Sequence, residues 1–398
     1  MNKKKIIVMT ATRAEFGLLE PVLDKLTKTP ELDIRIVATG MHLSPEFGLT
    51  YREIEECGYI IDKKIEMQLS SDSTVAVAKT MGLTMISFAD YFEDEKPDFI
   101  LVAGDRYEAM AVAATAMVMR IPIIHLFGGE TTEGAIDESI RHSITKMSSL
   151  HLTTTDAYRK RVIQLGENPN TVFTVGGTGS ENIKKQKLLS LEELEEQLSF
   201  DLHGLYVVCT FHSVSLEENS AEKQVKELLA ACDAHRELKY VFTKANSDAD
   251  GRIINEEIEN YCKSHDNARL YDSLGFLRYI SAVKYSAFVL GNSSSGIMEV
   301  PSLGVPTVNI GDRERGRIRA ESVIDCAPNC DSILAAMDKA LTQEFKDFCK
   351  TVKNPYEGDR SSEEIVKRIM EFASNGAAEL KKTFYDIDFV AEALMHGE

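Results

Sequence analysis

The sequence predicts an α/β protein made of two Rossmann-like, doubly wound parallel-sheet domains with an interdomain cleft. Short apolar runs alternate with amphipathic helical stretches along the chain, the pattern of repeated βαβ units. The alternation pauses once, at the glycine-rich residues 176–179, and then starts again. The length of 398 residues exceeds one ordinary core and suits two domains of roughly 180 residues each.

The first half is predicted to hold seven short strands, which are rich in Ile, Val and Leu: residues 5–10, 32–39, 63–69, 98–104, 121–127, 150–155 and 172–177. Helices are expected at 14–28, 73–92 and 107–119, and a fourth begins at Asp137. Ser71, Asp72 or Ser73 is expected to cap the second of these helices. Residues 98–104 are almost continuously apolar, as in a strand covered on both faces of a parallel sheet.

The second half repeats this architecture, although no sequence repeat is visible. Strands are predicted at 205–212, 238–246, 268–274, 287–292 and 306–311. Helices are predicted at 221–235, 251–263, 276–285, 296–303, 331–340, 362–373 and 391–395. We therefore expect a catalytic domain at 1–178 and a nucleotide-binding domain at 179–374, with a C-terminal helical segment at 375–398 packing back on the first domain.

Composition and charge exclude several classes of protein. The formal net charge of −18 argues against nucleic-acid or anionic-membrane binding as the main task. The seven cysteines form no C-x-x-C pair and the histidines show no H-E-x-x-H spacing, so neither a disulfide framework nor a metal site is expected. The basic start lacks the apolar region of a signal peptide, and a reducing cytoplasm fits this cysteine usage.

The second half carries a candidate phosphate-binding segment, GNSSSGIMEV at 291–300. Ser293, Ser294 and Ser295 lie where a strand meets a helix, where backbone N–H groups and hydroxyls can bind phosphate oxygens. Glu299 is placed to accept two ribose hydroxyls, as acids do in other nucleotide folds. Arg313 follows the next strand and can hold a phosphate with two hydrogen bonds. Neither G-x-x-x-x-G-K-[ST] nor G-x-G-x-x-G is present, which disfavours P-loop ATPases and ordinary NAD dehydrogenases.

Polar side chains also follow the strands of the first half. Arg13, His42 and Asp105 each come directly after a predicted strand, at the edge where parallel sheets bind ligands. His212 occupies the same place in the second half, and Asn246 is a possible polar contact. Alternative roles are a helix cap for Asp105 and an ordinary loop position for His42.

The segment GGETTEGAIDESIRHSITK at 128–146 holds a cluster of acids at the start of a helix. Glu130 and Asp137, near two glycines, are candidates for proton transfer. Arg141 lies four residues after Asp137, on the same helix face. Glu133 and Glu138 are better explained as solvated acids that favour a helix start.

The chain resembles the hydrolysing UDP-N-acetylglucosamine 2-epimerases, bacterial enzymes that make N-acetylmannosamine for sialic acid synthesis. The similarity spans residues 5 to about 372 and rests on these segments: TATRAEFG (10–17), TGMHLSPEFGLTYREIE (39–55), GDRYEAMAVA (104–113), HLFGGETTEGAIDESIRHSITK (125–146), FHSV (211–214), GNSSSGIMEVPSLGVPTVNIGDR (291–313) and RGR (315–317). GGE with IDESIRH is specific to the hydrolysing branch.

The resemblance implies a glycosyltransferase B-like fold, usually dimeric, that needs no metal or nicotinamide cofactor. It implies that UDP is eliminated to leave 2-acetamidoglucal, to which water then adds. Asp105, Glu130 and Asp137 would handle protons, and His212 would assist at the phosphate or leaving oxygen. The nucleotide diphosphate would be bound by Arg13, His42, Ser293, Ser294, Glu299 and Arg313.

One position departs from the family. Where some members have a glutamate two residues before Gly129, this chain has Phe127. Either Glu130 takes over that role, or the substrate differs; an apolar Phe127 near the sugar would suit a 6-deoxy sugar, such as the UDP- or GDP-linked diacetamido-trideoxyhexose of the legionaminic acid route. A glycosyltransferase of the same fold, a non-hydrolysing epimerase and a nucleotide-sugar sensor without turnover are the other readings of this sequence.

Overall fold

The computed structural model describes residues 3–69, 71–374 and 380–387. Within these ranges the strands form two parallel sheets, one of seven strands and one of six. The first sheet contains β1 (Lys4–Thr10), β2 (Leu32–Thr39), β3 (Lys63–Ile65), β4 (Phe99–Ala103), β5 (Ile123–Leu126), β6 (Leu150–Thr153) and β7 (Val172–Thr174). The second contains β8 (Tyr206–Thr210), β9 (Lys239–Thr243), β10 (Ala268–Tyr271), β11 (Phe288–Gly291), β12 (Thr307–Ile310) and β13 (Val323–Cys326).

Helices cover both faces of each sheet. Those connecting or following the first sheet are α1 (Arg13–Leu26), α2 (Tyr51–Glu56), α3 (Thr74–Glu95), α4 (Tyr107–Val118), α5 (Asp137–Met147), α6 (Asp156–Gln164) and α7 (Thr178–Lys185). The others are α8 (Leu191–Leu198), α9 (Ala221–Ala234), α10 (Gly251–Ser264), α11 (Gly275–Tyr285), α12 (Ser295–Met298), α13 (Cys330–Leu341), α14 (Gln343–Cys349) and α15 (Ser361–Ser374). The predicted fold class is confirmed.

Both sheets share one strand order. It runs β3-β2-β1-β4-β5-β6-β7 in the first and β10-β9-β8-β11-β12-β13 in the second. In each sheet the strand order changes direction at the first strand: successive strands are added on one side of β1 or β8 and then on the other side. This leaves a crevice at the carboxyl ends of β1 and β4 in the first sheet and of β8 and β11 in the second. Open α/β sheets bind ligands at such switch points.

Helix α15 packs on the first sheet although its sequence follows the second. Its buried residues Ile365 and Ile369 join the same apolar cluster as Ile6 and Val8 of β1. The domain boundary at residue 178 stays a prediction. We expected α15 to belong to the second domain, whereas it packs on the first sheet. An amphipathic pattern predicts that a helix buries one face and does not say against which sheet.

The C-terminal tail contacts the first sheet's side of the molecule. Residues 380–387 are not helical; the Tyr385 N–H donates to the Gly166 carbonyl at 2.9 Å and Lys382 Nζ donates to the Ser148 carbonyl at 2.6 Å. The helix expected at 391–395 lies outside the described residues.

Candidate active site

The main cleft lies between the two sheets and opens to solvent; its free volume, including the open mouth, is about 1120 Å³. Its first wall comes from the ends of β1 and β2, and its second from the ends of β8, β9 and β11. Predicted site residues that line it are Arg13, His212, Asn246, Ser293, Ser294, Ser295, Glu299 and Arg313. Apolar and aromatic side chains complete the lining: Leu18, Met41, Phe47, Phe276, Tyr279 and Met298.

The serine-rich wall is shaped by a close backbone contact. Gly291 has φ +132°, and a Cβ there would lie 1.9 Å from the Thr210 carbonyl, so β11 must end in glycine to pair with β8. The next residue, Asn292, is fully buried and exchanges two hydrogen bonds with the His212 backbone, at 2.7 and 2.8 Å. These bonds fix Ser293–Ser295 beside His212 in the cleft.

Glu299 ends the short helix α12 and faces a glycine. A Cβ on Gly179 would lie 2.9 Å from Glu299 Oε1, so the carboxyl fits only against a bare backbone. Burial raises the pKa of Glu299, while Ser295 and the Arg13 guanidinium oppose that shift. Arg13 reaches across from the first sheet, donates to the Gly275 carbonyl at 3.4 Å and lies 5.4 Å above the Tyr279 ring.

Arg313 follows β12 at the inner end of this wall. Its Nη1 donates to the Asn292 carbonyl at 3.2 Å and also pairs with the buried Glu314. Glu314 in turn accepts from Arg317 Nε at 2.5 Å. One buried carboxylate therefore orients both arginines; of the two, Arg313 lines the cleft, where it suits binding of an anionic diphosphate.

His212 presents a defined tautomer. Its Nδ1 accepts the Asn246 N–H at 3.1 Å, which leaves the proton on Nε2 in the neutral ring. Burial, assisted by the positive charge of Arg313, lowers the pKa of His212 to about 3. His212 is therefore a neutral donor at physiological pH.

Asp105 is held as an anion. It follows β4 and accepts from Arg141 Nε at 2.9 Å and from Arg141 Nη2. Burial opposes its ionisation, but the positive charges of Arg141, Arg317 and Arg313 outweigh burial and lower its pKa.

Asp137 shows the opposite behaviour. It begins α5 and is partly exposed, and its pKa is raised to about 7 by burial and by the negative charges of Asp105 and Asp248. Arg313 and Arg106 oppose this shift. Two neighbouring acids with opposite pKa shifts are the usual sign of distinct roles in proton transfer.

Glu130 is buried and fully paired. Its Oε1 accepts from Thr154 Oγ1 at 3.0 Å, and its Oε2 binds Arg317 of the opposite lobe. It does not line the cleft in this arrangement, so its role in proton transfer stays a prediction.

Two predicted substrate contacts are buried. His42 is fully buried beneath the wall, with Nε2 bound to Thr10 Oγ1 at 3.0 Å and Nδ1 to Thr50 Oγ1 at 2.9 Å, and burial lowers its pKa to about 3. Arg141 is also fully buried. Its guanidinium binds Asp105, the Glu130 carbonyl, Glu138 and Thr132. Neither side chain is exposed in this structure, so a ligand contact by either stays a prediction; Arg141 holds Asp105, and His42 is held by Thr10 and Thr50.

Phe127 and Glu138 also differ from expectation. The Phe127 ring is 4% exposed and packs in the apolar cluster around Ile6 and Val8, so it is not a sugar contact in the cleft.

Glu138 accepts the Thr132 N–H at 2.6 Å and pairs with Arg141 and His142, and these partners lower its pKa to about 2. It is an ordered part of the site's support, whereas the sequence indicated a solvated acid.

Several site residues were missed in the sequence. Asp248 binds Arg106 at 3.1 Å across the cleft, and Arg106 is gripped by the buried Glu108 at 3.1 Å. Arg317 appeared in the sequence only within the segment RGR (315–317) that carries the resemblance. The available signal for Asp248 was its place in the polar loop that follows β9, which also contains Asn246.

The lobes touch directly beside the acids. A Cβ on Gly134 would lie 2.5 Å from the Asp312 carbonyl. The Glu133 N–H donates to the Arg315 carbonyl at 3.0 Å, and the Ile136 N–H donates to Ser215 Oγ at 2.9 Å. The segment before α5 is thus docked on the second lobe.

A metal site is not built into this cleft by the described residues. Glu195, Asp201 and His203 form the group whose donor atoms lie close enough for an ion, but Asp201 and His203 are exposed and none of the three lines the cleft. His203 pairs with Glu195 at 2.7 Å and Lys239 with Asp201 at 2.6 Å, which explains the cluster without an ion. None of the described helices is long and apolar enough to cross a membrane.

Two Rossmann-like sheets with a ligand cleft at their facing switch points define a glycosyltransferase B-like α/β enzyme. The family model for UDP-N-acetylglucosamine 2-epimerase matches residues 24–370. The chain belongs to this family of enzymes, in its hydrolysing branch.

Curated relatives share much of the chain. It is 44% identical to a GDP/UDP-N,N'-diacetylbacillosamine 2-epimerase (hydrolyzing) of Campylobacter jejuni, over 87% of this chain and 90% of that protein. It is 38% identical to the polysialic acid biosynthesis protein P7 of Escherichia coli, over 96% and 98%. It is 35% identical to a UDP-N,N'-diacetylbacillosamine 2-epimerase (hydrolyzing) of Legionella pneumophila, over 85% and 89%.

Solved structures share the fold. The UDP-GlcNAc 2-epimerase of Neisseria meningitidis bound to UDP-GlcNAc has a TM-score of 0.78 at 19% identity, covering 92% of this chain and all of the other. The Methanocaldococcus jannaschii UDP-GlcNAc 2-epimerase in complex with UDP-GlcNAc and UDP has a TM-score of 0.77 at 20% identity, covering 92% and 99%.

Proposed function

We propose that this chain hydrolyses UDP-N-acetylglucosamine with inversion at C2, releasing N-acetylmannosamine and UDP. The observation that carries this proposal is the division of the cleft. A diphosphate-suited wall with Ser293, Ser294 and Arg313 lines the cleft on the second lobe. Asp105 and Asp137 of the first lobe do not line the cleft, but the charge of Arg313 acts on both, and their pKa values are shifted in opposite directions.

The nucleotide is proposed to bind along the second lobe. Glu299 accepts ribose hydroxyls, as its position against Gly179 allows. Ser293–Ser295 and Arg313 bind the diphosphate, with Asn246 beside His212 as a further polar contact. Arg13 covers the bound nucleotide from the side of the first lobe.

Asp137 is proposed as the base that removes the C2 proton. A carboxylate with a pKa of about 7 is a far stronger base than an ordinary aspartate, yet it is half ionised at neutral pH. As the C2–H bond breaks, its electrons form the C1=C2 double bond and UDP leaves with the C1–O electrons. His212 Nε2–H and Arg313 stabilise the charge that develops on the leaving phosphate.

A second group must act in the hydration step. Water supplies the hydroxyl that bonds to C1, and a proton bonds to C2 on the face opposite the one that lost it. A base that stays on the first face cannot deliver that proton. We propose that Asp105, held by Arg141, orients the water that supplies the proton.

A product assay tests the proposal. With UDP-N-acetylglucosamine and no acceptor, free N-acetylmannosamine and UDP are expected in equal amounts. UDP-linked mannosamine would indicate a non-hydrolysing epimerase, and turnover that requires an acceptor would indicate a glycosyltransferase. Binding without UDP release over hours would indicate a sensor.

A second candidate substrate is UDP-N,N'-diacetylbacillosamine, which is favoured by the 44% and 35% identical relatives. The P7 relative instead matches almost the whole chain and is named for polysialic acid biosynthesis. Parallel kcat/KM measurements on the two UDP-sugars, and on GDP-linked forms, decide between them. If kcat/KM is more than about tenfold higher for the diacetamido sugar, a difference of about 1.4 kcal/mol, that sugar would replace UDP-N-acetylglucosamine as the proposed substrate.

We also propose a homodimer formed through α3. From Thr74 to Ala89 this helix has Lys79 as its only charged residue. Its outer face exposes Val75 (61%), Leu83 (42%) and Ile86 (64%), and Val118 of the neighbouring α4 is 71% exposed. A contiguous apolar face of this kind on a charged protein is typical of a subunit interface.

A further inference from the structure

Asp248 is a buried acid of the second lobe that the proposed chemistry does not use. Its side chain is 14% exposed and lies just beyond β9. Its carboxylate pairs with Arg106 Nη1 at 3.1 Å, and Arg106 belongs to the first lobe, next to Asp105. This ion pair therefore exists only when the lobes are together.

The first lobe holds its side of this contact rigidly. The fully buried Glu108 binds Arg106 through Nε at 3.1 Å and through Nη2 at 3.3 Å. Ser247 Oγ accepts from Arg106 Nη2 at 3.1 Å and hydrogen-bonds the Tyr107 hydroxyl at 3.1 Å. Three hydrogen bonds therefore join the lobes at this point: Arg106 to Asp248, Arg106 to Ser247, and Tyr107 with Ser247.

Asp248 also acts on Asp137. Its negative charge is one of the causes that raise the pKa of Asp137, together with burial and Asp105. The charged groups of other elements that act on the pKa of Asp137 are Asp105 and Asp248, which raise it, and Arg313 and Arg106, which lower it. Asp248 itself is kept ionised by Arg106, Arg313 and His212, which lower its pKa against burial.

We propose that Asp248 is a positioning residue through which closure of the lobes turns Asp137 into an effective base. With the lobes apart, Asp137 loses this neighbouring carboxylate and the covering second lobe, and it becomes an ordinary, weakly basic aspartate. With the lobes closed on substrate, the second carboxylate favours proton capture by Asp137. The inference rests on the proposed function, because it needs Asp137 to accept the C2 proton.

The test is the pH dependence of kcat for UDP release at saturating substrate, measured on the full chain, because kcat reports the closed, substrate-bound state. In the wild type, activity is expected to rise with pH through about 7, because the ionised form of Asp137 is the base. In Asp248→Asn this rise in activity, the acidic limb of the pH profile, should move to lower pH by about half a unit or more, since a neighbouring negative charge is lost. The rate at high pH should also fall, because a less basic carboxylate is a poorer base.

Matched variants separate charge from packing. Ser247→Ala weakens the same interlobe contact without a charge change, so its limb should stay at the wild-type pH. Asp248→Glu keeps the charge and should restore the limb, and Asp248→Ser repeats the charge loss with different packing. Binding of UDP by calorimetry confirms that each variant is folded.

The outcomes distinguish the two proposals. A wild type that releases no UDP from any tested UDP-sugar overturns the function and this inference together. An active wild type whose limb is unchanged in both Asp248→Asn and Asp248→Ser overturns the inference alone. An equal shift in Ser247→Ala would also overturn it, since packing would then explain the effect.

Discussion

At the residue scale, the site depends on how charges are paired. Arg141 holds Asp105 as an anion, while Asp137 has no such bond to an arginine within the described residues. The sequence indicated both acids from their places after β4 and at the start of α5. It placed Arg141 and Asp137 on the same helix face from their spacing, and the structure shows that Arg141 binds Asp105, 36 residues away in sequence. Helix spacing predicts which residues share a face of the helix. It does not predict which residue, distant in sequence, forms the ion pair.

Asp137→Asn is expected to lower kcat by about 10²-fold or more, the usual scale for losing a base. The same change should stabilise the fold at pH 8. The raised pKa of Asp137 means that folding favours its protonated form, so this stability is full below about pH 4 and is lost as the pH rises through about 7. Urea unfolding should show a gain of about 1–3 kcal/mol at pH 8 and little difference at pH 4. Wild-type rates, or equal stability at both pH values, would contradict this account of Asp137.

Arg313→Ala is expected to weaken UDP binding by about 1.5–3 kcal/mol, the scale of a hydrogen bond to a charged group. Arg319→Ala is the matched control, because Arg319 pairs with Asp325 at 3.1 Å and does not line the cleft. Titration calorimetry with UDP measures both. An unchanged affinity in Arg313→Ala would remove Arg313 from the diphosphate site.

At the element scale, the strands were predicted well because β-branched, apolar runs are local signals. Ser73 caps α3 by accepting the Ala76 N–H at 3.2 Å, as expected. The helix predicted at 296–303 is instead the short α12 followed by a 3-10 turn at Val300–Leu303, because Pro301 interrupts the α-helical hydrogen bonds. Strand β13 was missed because VIDC is a run of only four residues that is interrupted by Asp325.

Gly134→Ala tests the docked segment before α5. The added methyl meets the Asp312 carbonyl at 2.5 Å and the Arg313 Cα at 2.8 Å, and both are backbone atoms that cannot swing aside. The segment must shift away from the second lobe, so kcat/KM should fall by about 10²-fold, the usual cost of a displacement near 1 Å. UDP affinity should change much less, since Glu299 and the serine wall are untouched. Wild-type kcat/KM would show that this contact does not position the acids.

At the scale of the whole molecule, two sheets of one strand order face each other across the cleft. Contacts between them join residues far apart in sequence: 142 positions for Arg106 and Asp248, and 187 for Arg317 and Glu130. Sequence patterns predicted each lobe and its ligand edge. They could not predict which buried charges meet across the gap, because that depends on how closed lobes pack and not on local periodicity.

Ile86→Glu is expected to convert the proposed homodimer to a monomer, because it would place a charge in the apolar interface that we propose on α3. Leu205→Glu, at a position that is 50% exposed in the second lobe, is the control and should leave the dimer intact. Light scattering coupled to gel filtration reports the mass of each. A monomeric wild type, or an Ile86→Glu protein of dimer mass, would contradict the assignment of this face.

The central claim is that one lobe binds a sugar nucleotide by its diphosphate while the other exchanges hydrogen at C2. The most direct measurement is NMR of the products formed from UDP-N-acetylglucosamine and from UDP-N,N'-diacetylbacillosamine in D₂O. We predict free, C2-inverted sugar carrying deuterium at C2, together with UDP. Free sugar of unchanged configuration with hydrogen retained at C2 would mean simple hydrolysis and would contradict the account.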